Sequence, residues 1–219
     1  MSALVVPVTG LVAVSAAVDW YAVANQRRSL EQVFKPLTLA LLIVVVAASH
    51  LGDPKPWLIT ALCLSLVGDI ALMFSADQAA ADELDPAFLV GLGAFLLGHL
   101  AYFGVFAAHG VHGAWVVVGI LLVGIACGAA LPRVLRGAYA AGGTALAAIV
   151  AAYAAVLAVM VVLAVGTAVF FTGVGGLVFL ASDTTLAWNR FVGPVRNGPL
   201  AVIVTYHLAQ LWIVAGLIS

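Results

Sequence analysis

Polar residues and Pro/Gly breaks divide this chain into eight apolar stretches, at 4–24, 36–51, 57–74, 88–108, 114–131, 138–163, 167–188 and 199–217. The hydrocarbon core of a bilayer is about 30 Å thick, and about 20 apolar residues of helix cross it. Lipid offers no hydrogen bonds to a backbone, so such stretches satisfy their own amides by becoming helices. The composition agrees, because 8% of the residues are charged where soluble domains carry about 25%. The expected fold is all-α: a polytopic membrane protein, 1–219 forming one bundle of eight transmembrane helices. The connections are short and leave no room for a soluble domain. The second stretch is short, and the sixth and seventh are separated only around Gly166. No Lys or Arg precedes the first stretch, so it is expected to be a retained span rather than a signal peptide.

Orientation follows from the loop cations. Arg27, Arg28, Lys35, Arg133, Arg136, Arg190 and Arg196 fall after the first, fifth and seventh stretches, and only Lys55 falls on the other side. Both termini are therefore expected on the non-cytoplasmic side, and the acidic loop from Asp77 to Asp85 inside. Trp20, Trp57, Trp115 and Trp188 lie near stretch ends, as interfacial anchors do. The Ala/Val/Gly-rich composition and compact loops suggest a bacterial inner membrane.

Two aspartates lie inside apolar stretches in similar phrases, Gly68-Asp69-Ile70-Ala71-Leu72 and Ser182-Asp183-Thr184-Thr185-Leu186. A carboxylate in hydrocarbon is costly, so each is a functional candidate, and two in matched contexts suggest one shared polar site. Counted from the cytoplasmic ends, both lie ~8 Å deep and Asp19 is comparable, while His99 and His207 lie ~12–17 Å deep. Ser65, Tyr102, Tyr206 and Gln210 accompany them. Ser65 and Asp69 share a helix face, as do Tyr206 and Gln210, and Phe179 aligns with Asp183. These faces should point inward, with the two carboxyls on one cavity. The segment His99-Leu100-Ala101-Tyr102 follows Asp69 much as His207-Leu208-Ala209-Gln210 follows Asp183, which suggests a parallel four-plus-four duplication.

Several classes drop out. A net charge of −1 with no basic run argues against a nucleic-acid partner. Cys63 and Cys127 lie in apolar stretches without disulfide or metal spacing. No phosphate-binding glycine loop, zinc-protease helix motif or nucleophile elbow occurs. The Gly124/Gly128 pair and the glycines at 173, 175 and 176 suggest close helix packing. Buried Asp and His also suit a small proton-coupled transporter, although the paired Gly/Pro interruptions of discontinuous transporter helices are lacking.

The chain resembles the YhhN-like lysoplasmalogenases, integral membrane enzymes with eight predicted spans. The resemblance is carried by Lys35-Pro36-Leu37, by Ser65-Leu66-Val67-Gly68-Asp69-Ile70-Ala71-Leu72, and by Phe88-Leu89-Val90-Gly91 with Phe95 and Gly98-His99-Leu100-Ala101-Tyr102. It continues through Gly175 to Trp188 and then Thr205-Tyr206 and Gln210. It implies hydrolysis of the vinyl-ether bond of a lysolipid, without a cofactor or metal, to a fatty aldehyde and glycerophospho-ethanolamine or -choline. Another lysolipid or ether is the variant reading.

That chemistry suits the residues. Protonation of the vinyl β-carbon gives an oxocarbenium ion that water captures, and the hemiacetal collapses. The reaction calls for one carboxylic acid and one carboxylate, as glycosidases use for a similar cation, with carboxyl groups roughly 5–10 Å apart. Asp69 and Asp183 are the candidates, with His99 beside them. Lys35, Ser65, Tyr102, Phe179, Ser182, Tyr206, His207 and Gln210 are candidates for binding the substrate. Lys35 is the first choice for the lysolipid phosphate, with Arg190 and Arg196 the other nearby cations.

Overall fold

The structure, a computed structural model, describes residues 5–75 and 86–219, and every regular element among them is a helix. They are α1 (Val5–Ala24), α2 (Arg28–Ala48), α3 (Pro54–Met73), α4 (Pro86–His109), α5 (Gly113–Gly166), α6 (Phe170–Phe191) and α7 (Gly198–Ile218). All seven are long and apolar enough to cross a membrane, and the chain is an integral membrane protein. The expected acidic loop at 77–85 lies outside the described residues.

The expected break between the fifth and sixth stretches, around Pro132 to Gly137, is absent. The helix runs through Pro132, Arg133 and Arg136, and the non-helical dihedrals come later, at Gly142 and Gly143, where Gly143 has a φ of +64°. Only glycine adopts such a conformation without strain. The 54 residues of α5 are therefore two helices meeting at a kink. Their close contacts show how they run: a Cβ on Gly119 would lie 3.0 Å from the Val162 backbone, and one on Gly166 would lie 2.9 Å from Val116. Pairs 119–162 and 116–166 can meet only if the limbs fold back antiparallel. The charges misled because Arg133 and Arg136 return their side chains to the carbonyls of Ala129 and Pro132 and sit on helix, not loop.

A second boundary moved as well. Helix α2 begins at Arg28, eight residues before the expected Pro36, and the proline lies inside it. A polar helical turn can precede the hydrocarbon, so loss of apolar character does not mark the helix start. The Ser15 and Thr38 hydroxyls, 2.9 Å apart, converge on the Phe34 carbonyl next to this proline and tie α1 to α2.

Each helix packs on the next in sequence, and α7 closes the ring against α1 and α2. Within lipid, association rests on close packing rather than on escape from water. Leu39, Leu58, Leu62, Phe106, Met160, Phe179 and Ile213 fill the centre, whereas Val14, Ile120, Ile125 and Phe170 face outward. Glycines bring backbones together where the polar residues lie. A Cβ on Gly68, beside Asp69, would be 2.6 Å from the Phe95 ring, and one on Gly175 would be 3.0 Å from the Ala209 carbonyl. Gly124 and Gly128 behave otherwise: nothing lies within 4 Å of a Cβ at either, so they do not serve packing inside this chain.

Candidate active site

The two aspartate phrases place their carboxylates on α3 and α6, and the structure gives them different surroundings. Asp69 is almost fully buried. The Lys35 ammonium of α2 lies 3.4 Å from its Oδ1, and the Tyr206 hydroxyl of α7 donates to its Oδ2 at 2.9 Å. Its charge thus has a cation and a hydrogen-bond donor in contact. Lys35 is mostly buried in this pair, its side chain 14% exposed.

Among the described residues, no Lys or Arg is ion-paired with Asp183. The Tyr153 hydroxyl, from the second limb of α5, donates to its Oδ2 at 2.5 Å. The His99 Nε2 of α4 lies 4.0 Å from the same oxygen, beyond hydrogen-bonding range. His99 is buried, and neither ring nitrogen has a hydrogen-bond partner among the described residues. Its ring is held instead by edge contacts with Phe179 at 5.0 Å and Tyr153 at 5.4 Å between centroids. A buried imidazole without partners forgoes stabilisation that a water or a ligand oxygen would restore.

Asp183 also faces space. A cleft of about 870 Å3, counted to its open mouth, lies among the end of α3, the start of α4, both limbs of α5 and the C-terminal half of α6. Its wall is apolar (Leu72, Phe88, Leu92, Phe95, Leu131, Val150, Leu157, Leu180) except for Asp183, Tyr153, Thr184 and Arg190. Asp69 and His99 are not on this wall, and nor are Lys35 and Tyr102. The expectation that both carboxyls line one cavity therefore holds for Asp183 alone. The two acids remain within electrostatic reach of each other. A file of aromatic edges joins them: Tyr206 on Asp69, Phe179 against Tyr206 at 5.6 Å, then His99 against Phe179.

The remaining sequence candidates form the core behind the cleft. The Tyr102 hydroxyl donates to the Gln210 Oε1, and the Gln210 amide donates to the Ser65 Oγ at 3.2 Å, so α3, α4 and α7 share one buried network. Tyr102 and Gln210 occupy equivalent positions of the proposed repeat, and here they touch. Ser182 donates to the Val202 carbonyl at 3.0 Å and secures α6 to α7. His207 is drawn away from both acids: the Trp20 indole donates to its Nδ1 at 3.1 Å. An indole nitrogen can only donate, so the neutral His207 ring carries its proton on Nε2. Among the described residues, no three His, Cys, Asp or Glu side chains converge as metal ligands would.

One participant, Tyr153, is absent from the candidates read in the sequence, whereas Asp19 is noted there for its depth. Tyr153 stands alone in an Ala/Val-rich stretch, and a lone polar ring there was the available signal. Asp19 on α1 is wholly buried, with both carboxyl oxygens lacking a hydrogen-bond partner among the described residues.

Fold and site together define a polytopic helical membrane protein with a buried acidic centre beside a mostly apolar cleft. The chain belongs to the YhhN family, whose model matches residues 30–217. It is 35% identical over 178 residues to the lysoplasmalogenase TMEM86B of Sus scrofa, an alignment covering 80% of this chain and 69% of that one. It is 31% identical over 191 residues to the lysoplasmalogenase of Mycobacterium bovis, covering 85% and 70%. The human lysoplasmalogenase TMEM86B is 34% identical over 155 residues, covering 70% and 59%. No solved structure matches the chain.

Proposed function

We propose that this protein is a lysoplasmalogenase that hydrolyses the vinyl-ether bond of lysoplasmalogens within the bilayer, with Asp183 as the proton donor. The observation that carries the proposal is Asp183 itself. Among the described residues it is the one carboxyl on the wall of a mostly apolar cleft, it is ion-paired with no Lys or Arg, and it lies on a helix of a chain whose relatives are named lysoplasmalogenases.

In this reading the Asp183 carboxyl gives its proton to the vinyl β-carbon, and the electron pair of the double bond forms the new C–H bond. The oxocarbenium ion so formed faces the carboxylate that produced it, which stabilises it by charge in a water-poor site. Water adds to the cationic carbon, and its proton passes to Asp183 with His99 orienting the oxygen. The hemiacetal then collapses to the aldehyde, and the glycerol oxygen leaves as a hydroxyl. One water is consumed and Asp183 regains its proton. Tyr153 holds the carboxyl in register. Asp69 is the second acid: it acts through Tyr206 and Phe179 to fix His99 and does not touch the substrate. Lys35 serves Asp69. Ser65, Tyr102, Ser182, Tyr206, His207 and Gln210 shape the wall behind the site, and Phe179 is the apolar surface under His99.

We further propose eight membrane crossings, α5 crossing twice. Support comes from its length, ~80 Å at 1.5 Å per residue against a core of ~30 Å, and from its antiparallel limbs. Both termini then lie on the non-cytoplasmic side, because eight crossings would put Arg27, Arg28, Arg133, Arg136, Arg190 and Arg196 toward one end of the bundle. Placement in a bacterial inner membrane rests on the composition. In this reading a single-chain lipid enters the cleft laterally from the bilayer.

Purified protein in detergent, incubated with an alkenyl lysolipid, should release fatty aldehyde, and Asp183→Asn should not. Equal release by the two proteins would remove Asp183 from this role.

A further inference from the structure

We propose that Arg190 binds the phosphate of the lysolipid at the mouth of the cleft and so sets the register of the vinyl ether against Asp183. The inference deepens the function proposed above and assumes that the cleft takes a lysolipid. The starting point is that Lys35, the first choice in the sequence reading, is committed to Asp69 and absent from the cleft wall. Arg190 is on that wall, in the last turn of α6, half-buried.

Its guanidinium carbon lies over the Phe88 ring, 4.7 Å from the centroid, a cation–π contact that steadies the group and leaves N–H donors for a ligand. A stacked guanidinium presents a rigid fork that matches two phosphate oxygens, which an ammonium does not. No carboxylate lies within ion-pair distance of it among the described residues.

Spacing supplies the second argument. Arg190 and Asp183 are seven residues apart, two turns along one face of α6, so their backbones differ in depth by ~10 Å. Helical side chains lean toward the N-terminus, which brings the guanidinium closer to Asp183. In a lysoplasmalogen, seven bonds separate the phosphorus from the vinyl β-carbon, which is ~8 Å at the extended-chain rise of ~1.2 Å per bond. A phosphate on Arg190 therefore sets the reactive carbon at the depth of Asp183, and the hydrocarbon continues past Leu157 and Leu180. A head-first entry would put the phosphate among Leu157 and Leu180, away from the cation on the wall.

The test uses two ligands that cannot be cleaved, a 1-O-alkyl lysophosphatidylethanolamine and the matching 1-O-alkylglycerol, titrated against the full-length protein in detergent. For Arg190→Gln the account predicts on the order of tenfold weaker binding of the phospholipid, the range of a hydrogen bond to a charged group, and unchanged binding of the alkylglycerol. Arg190→Lys should fall between, and Arg196→Gln should match the parent protein. Equal loss for both ligands, or none for either, would overturn the assignment. Because neither ligand is turned over, the result stands apart from the hydrolysis assay: a parent protein that discriminates through Arg190 yet releases no aldehyde would support the anchor and sink the proposed reaction.

Discussion

Asp69 and Asp183 sit in nearly the same sequence phrase, yet they occupy different chemical environments. Asp69 faces a lysine and a tyrosine in a closed corner of α2, α3 and α7, and Asp183 faces a tyrosine, a histidine and an open cleft. The contrast teaches that a membrane carboxylate is defined by what the neighbouring helices bring to it. A countercharged acid behind the wall suits holding a structure in place. An acid without a countercharge, on the wall of a cavity, suits moving a proton. The hairpins α3–α4 and α6–α7 also exchange partners, since Tyr206 of the second reaches Asp69 and His99 of the first reaches Asp183. Each acid is completed by the other hairpin, so neither hairpin holds a whole site.

Substitutions can break that contrast. The largest effect belongs to Asp183→Asn, expected to lower turnover by about a thousandfold, within the range of positioned acid–base groups, while alkyl-ether lysolipid binding stays within a few-fold. Aldehyde release and ligand titration would read the two. Asp69→Asn should act first on stability: a mostly buried Lys35 loses its partner, and breaking such pairs costs about 3–5 kcal/mol. Thermal unfolding in detergent should show that loss, and a second change, Lys35→Met, should recover most of it. A comparable loss of stability for Asp183→Asn would erase the distinction between the two acids.

Smaller effects sharpen the picture. His99→Gln should lower kcat by roughly tenfold to a hundredfold with KM changed less, as for a group that acts in the transition state. Tyr153→Phe removes the donor to Asp183 and leaves the ring contact with His99, so a kcat loss of about tenfold is expected from one charge-assisted hydrogen bond. At the bottom of the scale, Gly124→Ala should leave stability within ~0.5 kcal/mol, as for a surface change. Gly175→Ala, which drives a methyl into the α7 backbone, should be clearly destabilising in the same melt.

Much of this was legible in the sequence because lipid makes polar residues conspicuous. Asp69, Asp183, His99, Tyr102 and Gln210 stand out against hydrocarbon, and inward-facing polar groups are required of any such bundle. Pairing was not legible. Nothing in the local phrase says that Lys35 meets Asp69 or that Tyr206 lies between the acids, since those contacts depend on which helices adjoin. Tyr153 was passed over because its neighbours Ala152 and Ala154 carry no signal. The fifth-to-sixth boundary was drawn at Pro132 and the arginines because charges mark loops in general. The chain in fact turns at Gly142-Gly143, where backbone freedom rather than polarity decides.

The division between the two acids is tested most directly by one comparison: single-turnover release of aldehyde from an alkenyl lysolipid by the double variant Lys35→Met/Asp69→Asn, measured beside Asp183→Asn. The account predicts that the double variant, its corner neutralised as a unit, still cleaves bound substrate at a measurable fraction of the parent rate, while Asp183→Asn binds substrate and cleaves it about a thousandfold more slowly than the parent. Cleavage by Asp183→Asn near the parent rate with complete loss in the double variant would contradict it and make Asp69 the proton donor.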